Sequence, residues 1–129
     1  MNITNAIYVL IMFFMFCIGT CSAQEVINQS NFKDKIAKDI VVVEFWAEWN
    51  KANEFAELNK LKDSSVYRVD IMHCSKLQAD YKISAVPTVV VFDNGVEKER
   101  FNANIMFQLE ADKKTIQTSI DTIILNKFQ

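Results

Sequence analysis

Apolar positions follow several rhythms along this chain, and each rhythm implies its own kind of element. Ile40-Val41-Val42-Val43-Glu44-Phe45-Trp46 is β-branched and almost wholly apolar, as a central strand covered on both faces would be. Residues 66–71 and 88–92 read as two more strands. Asp93-Asn94-Gly95 is a hairpin turn signal, since Asn and Gly accept positive φ, and it leads into a further strand from Val96. A helical stripe of Ile116, Ile120, Ile123 and Ile124 predicts a helix over 113–126, the clearest periodicity in the chain. Shorter helices are expected at 31–38 behind Ser30 as N-cap, at 52–61 with Phe55, Leu58 and Leu61 on one face, and at 76–81. Phe101, Ala103, Ile105, Phe107 and Leu109 alternate with Asn102, Asn104, Met106, Gln108 and Glu110, which predicts a long last strand. The resulting order, β-α-β-α-β-α-β-β-α, is that of one α/β domain.

The first 23 residues stand apart: none carries a charged side chain, and residues 6–19 are an unbroken apolar stretch. That stretch is short for a bilayer span but has the length of a signal-peptide core. Cys21-Ser22-Ala23 offers small residues at the positions a signal peptidase reads, so residues 1–23 are read as a signal peptide and 24–129 as the mature domain. The missing Lys or Arg before the apolar stretch leaves an uncleaved anchor as the competing reading, with lipidation at Cys21 a third. Cleavage would place the domain outside the cytoplasm, periplasmic or secreted, with no stable membrane span. It would also remove Cys17 and Cys21, leaving Cys74 as the single thiol, which cannot form an internal disulfide.

Charge narrows the partners. The net charge is −2, from 16 acids against 14 bases, and no Lys/Arg run exceeds two. Nucleic acid is therefore not an expected partner, because phosphate binding needs a concentrated basic face.

Two segments carry a family resemblance. Val43-Glu44-Phe45-Trp46-Ala47-Glu48-Trp49 resembles the thioredoxin run "DFWAEW" that leads into the Cys-Gly-Pro-Cys site. Tyr81-Lys82-Ile83-Ser84-Ala85-Val86-Pro87-Thr88 resembles the family's "YGIRGIPT" segment, so the chain's only proline stands where the family keeps a cis-proline. The resemblance spans most of 24–129. It implies the thioredoxin fold, an α/β architecture with a central mixed β-sheet flanked by helices on both faces. Short thioredoxin-like proteins with a signal peptide and no active-site cysteines are familiar from Gram-negative bacteria, and this chain looks like one of them.

The departures bear on function. Where the family has Cys-Gly-Pro-Cys, this chain has Asn50-Lys51-Ala52-Asn53. In thioredoxins the first Cys attacks a disulfide as a thiolate at a helix N-terminus, and the second resolves the mixed intermediate. Asn50 and Asn53 can do neither, so they are degenerate active-site positions. Helix capping is the plainer reading of both, ahead of any catalytic amide role. Only 16 residues separate Asn53 from Asp70, about two helical turns fewer than the family pattern. Glu44 occupies the place of the family's buried Asp, the proton acceptor for the resolving cysteine, and with no such cysteine it reads as an inherited structural carboxylate.

What the resemblance leaves is a binding surface. In the family the backbone before the cis-proline pairs with an extended peptide, beside the tryptophan that precedes the first Cys. Trp49, Val86 and Pro87 match those positions and are the candidate peptide-binding residues. The long last strand would lie at a sheet edge, open to another chain and to homodimer formation. Cys74 falls at the cap of the third helix beside His73, and is the candidate reactive thiol; the plainer reading is a small half-buried cap residue. His73 and Cys74 are too few for a zinc site, so neither a metal nor a cofactor is called for. The first reading is a non-catalytic exported module that binds a polypeptide. The alternatives are a monothiol protein acting through Cys74, and thioredoxin-type redox homeostasis by family label alone.

Overall fold

The computed structural model describes residues 24–129; the signal-peptide reading of 1–23 lies outside the described residues. Four strands form one mixed sheet: β1 (Ile40–Trp46), β2 (Ser65–Asp70), β3 (Thr88–Asp93) and β4 (Val96–Phe101), in the spatial order β2-β1-β3-β4. β1 pairs parallel with β2 and antiparallel with β3, and β3 pairs antiparallel with β4. Helices α1 (Phe32–Ile36), α2 (Ser75–Asp80) and α3 (Lys113–Asn126) flank the sheet. Where the sequence order implied a strand ahead of the first helix, an isolated parallel bridge links Val26 to Arg68.

β1 is central, so both of its faces are buried, and the two-residue period of a strand sorts its side chains onto two cores. Val41, Val43 and Phe45 face α1 and α2 with Val90 and Phe92 of β3. Ile40 and Val42 face the opposite side with Val89 and Val91, against Ile116 and Ile120 of α3. The register agrees: Val43 lies opposite Val90, and Val42 opposite Val91. Glu44 has the parity of Val42, so it enters the second core, where it is fully buried.

The β3–β4 turn forms as expected. Asn94 and Gly95 both take positive φ, of 49° and 82°, the pairing a two-residue hairpin loop requires. Asn94 also accepts a bond from the Asp39 N–H at 3.0 Å and donates its own N–H to the Asp39 carbonyl at 3.0 Å, fastening the hairpin to the start of β1. α3 keeps the expected bounds, with Asp112 as N-cap accepting from the Thr115 N–H at 2.8 Å. α1 is shorter than expected and begins after Asn31; Ser30 instead bonds to Asn28, so it is no cap.

Two expected elements do not form. The helix over 52–61 is replaced by two 3-10 turns, Glu48–Asn53 and Leu58–Lys60. Phe55, between the two turns, Leu58, in the second, and Leu61, just past it, are all buried. Phe55 is also held from outside: its N–H donates to the Glu44 carboxylate and its carbonyl accepts from Arg68 Nη2 at 3.4 Å. Those groups would otherwise serve a helix.

The long strand over 101–109 is the second failure. β4 stops at Phe101, and the chain folds back so that Ala103 bridges Leu109 antiparallel. Asn104 makes the turn, its Oδ1 accepting from the N–H groups of Met106 at 2.8 Å and Gln108 at 3.1 Å. An Asn side chain that bonds backbone two residues on competes with a strand ladder. The nine-residue edge on which strand-mediated dimerisation rested is thus absent. β4, at the sheet edge, bears Glu97, Lys98, Glu99 and Arg100, charges of the kind that keep an edge from pairing.

Candidate functional site

At the C-terminal end of β1 the chain turns at Ala47 into the first 3-10 turn, and this delivers Trp49 and Asn50 beside the segment before β3. Trp49 projects outward and is 58% exposed. The Val86–Pro87 bond is cis, as the resemblance implies. Val86 is 2% exposed and Pro87 is likewise buried, so of the three candidate binding residues only Trp49 offers open surface. Thr88 closes this end of β3 by donating its hydroxyl to the Ala85 carbonyl at 2.7 Å.

Neither asparagine caps a helix. Asn50 is buried and departs from helical geometry at φ −116°. Its amide nitrogen donates to the carbonyls of Val86 and Phe107, both at 3.0 Å. Its amide oxygen accepts from Asn53 Nδ2 at 2.8 Å. One amide therefore ties together the turn over 48–53, the cis-proline segment and the loop after β4. Capping answers a local need, whereas these carbonyls lie 36 and 57 residues away in the chain.

Phe107 completes the exposed face. Its ring meets Trp49 edge-on, centroids 5.3 Å apart at 88°, a favoured aromatic geometry. Ile105 and Met106 lie at the loop tip, with Ile105 95% exposed. The alternation that suggested a strand concealed this residue. The sequence signal was the pair Asn102 and Asn104, turn formers within an otherwise apolar rhythm.

Behind the turn lies a charged group the sequence reading left incomplete. Glu44 accepts from Arg68 Nε at 2.7 Å, and Arg68 Nη1 reaches Glu54 at 3.4 Å. Burial pushes the Glu44 carboxyl above its usual range, while the Phe55 N–H and Arg68 oppose that shift. Arg68 sits in β2 directly opposite Glu44 in the register. A lone base and a lone acid inside apolar strands were the clue to the pair.

Cys74 stands at the N-cap of α2 as expected, but its side chain makes no cap bond, and at 4% exposure it belongs to the first core. His73 points outward and lies 3.7 Å from Asp70. Among the described residues no group of three or more His, Cys, Asp or Glu could hold a metal ion, and no helix is long and apolar enough to cross a membrane.

A mixed sheet with helices on both faces, a Trp-bearing turn after the central strand and a cis-proline facing it define a thioredoxin fold. The family model for thioredoxin matches residues 23–120. A thioredoxin of Chlamydia trachomatis is 32% identical over 82 residues, spanning 59% of this chain and 80% of that protein. A thioredoxin of Mycoplasma genitalium is 37% identical over 70 residues, spanning 50% of this chain and 69% of that protein. Among solved structures, a mutant thioredoxin from Halobacterium salinarum superposes with a TM-score of 0.62 at 25% identity, covering 81% of this chain and 95% of the other. The chain belongs to the thioredoxin family.

Proposed function

We propose that this chain is an exported, redox-inactive thioredoxin-family domain that binds a polypeptide at the face carrying Trp49. The observation that carries the reading is the amide pair Asn50–Asn53, which stands where the family keeps its two sulfurs and is spent on structural hydrogen bonds. An amide neither ionises to a nucleophile at neutral pH nor forms a bond to sulfur, so both halves of disulfide exchange lack their reactant. The adjoining Trp49, Ile105, Met106 and Phe107 are exposed apolar side chains at one end of the fold, a pattern that suits contact with another chain.

The relatives' shared name would by itself assign redox exchange, and Cys74 is the only thiol among the described residues to perform it. Its burial weighs against a monothiol role, because attack needs access as well as a thiolate.

The purified domain 24–129 should not accelerate the reduction of insulin disulfides by dithiothreitol above the uncatalysed rate. Turnover that persists in Cys74→Ser would defeat the redox-inactive reading. In affinity capture from intact cells, Trp49→Ala should lose a partner that Cys74→Ser retains. Loss on Cys74→Ser alone would favour the monothiol protein instead.

A further inference from the structure

Both N–H groups of the Asn50 side chain are committed, one to each of two carbonyls from distant segments, and its oxygen is committed to Asn53. One of those carbonyls, that of Phe107, belongs to a residue in the left-handed region at φ 56°. A side chain bearing Cβ rarely adopts that conformation without outside support. The support is visible: the Asn50 amide on its carbonyl, the Trp49 ring against its own ring, and the Asn104 carbonyl accepting its N–H at 3.0 Å. The tip beside it, Ile105 and Met106, is exposed. Loop 102–110 is thus a turn closed by Asn104 and fastened to the former active site through Asn50 and Trp49.

We propose that Asn50 is a positioning residue that locks this loop as a strap beside the backbone preceding Pro87, so that an extended polypeptide gains that backbone only when the strap lifts. The consequence for binding rests on the polypeptide reading above; the lock itself does not. The Val86 carbonyl, which strand addition by a peptide would use, already accepts from Asn50, and the side chains of Val86 and Pro87 are buried. The same amide holds Phe107. Rotation of this one side chain therefore frees the carbonyl and releases the strap together. Trp49, exposed and touching Phe107, remains as the first point of contact.

Asn50→Asp tests the lock. It keeps the shape and the acceptor for Asn53, but at neutral pH it sets carboxylate oxygens against two carbonyls in place of two donors. By NMR, the Trp49–Phe107 ring contact should be lost and the Phe107 amide should exchange roughly tenfold faster, with β1 amides unchanged. Lowering the pH until the introduced carboxylate is protonated returns an O–H donor and should restore the ring contact, which a general loss of packing would not do. A ring contact and exchange rate that match those of the unsubstituted chain at neutral pH would overturn the lock. For the consequence, the probe is reduced, carbamidomethylated α-lactalbumin, an extended polypeptide. Asn50→Asp and the uncharged Asn50→Ala should both bind it at least threefold more tightly than the unsubstituted chain. Equal affinity with an open strap would overturn the exclusion while sparing binding at Trp49. Absence of binding by every form would sink the exclusion together with the polypeptide reading, and the ring contact would still decide the lock.

Discussion

The two faces of the central sheet are closed by different means. On one, Phe32 of α1 packs against Phe45 and Phe92 at 6.0 Å and against Tyr81 at 5.0 Å, an apolar seal between helices and sheet. On the other, the sheet is covered by α3 and by Phe55, Leu58 and Leu61 of the irregular crossover. There buried Glu44 and half-buried Arg68 hold both backbone groups of Phe55. The difference teaches how a sheet tolerates a crossover that lacks a regular helix. Apolar contacts alone can seat a helix, whose backbone satisfies itself, but an irregular segment brings backbone groups that need partners. Side chains in the neighbouring strands supply them.

The contrast can be broken on its apolar side first. Phe32→Ala should cost about 4 kcal/mol, because it empties a fully buried ring site that the surrounding helices and strands cannot refill. Urea denaturation measures this, and a cost near 1 kcal/mol would mean that the aromatic seal is dispensable.

On the polar side, Arg68→Met should cost about 3 kcal/mol by leaving a buried carboxylate without its counter-charge. Adding Glu44→Gln should recover most of that loss, since the amide oxygen still accepts the Phe55 N–H while the charge is gone. If the double variant is no better than Arg68→Met alone, charge pairing is not what the network contributes.

A smaller effect sharpens the comparison through pH. The folded-state pKa of Glu44 is raised above 4.5, chiefly by burial. The folded chain therefore holds its proton where the unfolded chain has released it, so stability falls as pH rises from about 4.5 through the folded value. The stability of the unsubstituted chain relative to Glu44→Gln should decline across that window and level off above it. Thermal unfolding at a series of pH values gives the slope, and a rise in place of a decline would show the ion pair outweighing burial.

Most of the fold was legible because its signals are local. The apolar run of β1, the Asn94–Gly95 turn and the isoleucine stripe of α3 each state a period or a conformational need within a few residues, and the bounds of β1 and α3 agree with the sequence reading. The candidate site was legible in part. The Val86–Pro87 bond is cis as the resemblance implied, and of the residues singled out Trp49 is exposed. The asparagines were misread because capping is their ordinary local use, and nothing near them in sequence names Val86 or Phe107 as partners. The strand over 101–109 was misread because alternation of side chains does not reveal that Asn104 will bond its own backbone.

By itself, then, the sequence determined where β1, the β3–β4 hairpin and α3 would form, which of their residues would be buried, and that no cysteine stands at position 50 or 53. Periodicity and residue chemistry are properties of neighbours along the chain, so they can be read from it. Only the tertiary structure decided what the asparagines at these positions hold. The Asn50 amide reaches carbonyls 36 and 57 residues downstream, and Arg68 meets Glu44 across 24 residues. Which long-range polar groups meet depends on where the folded sheet brings backbone carbonyls and charges within about 3 Å of a donor.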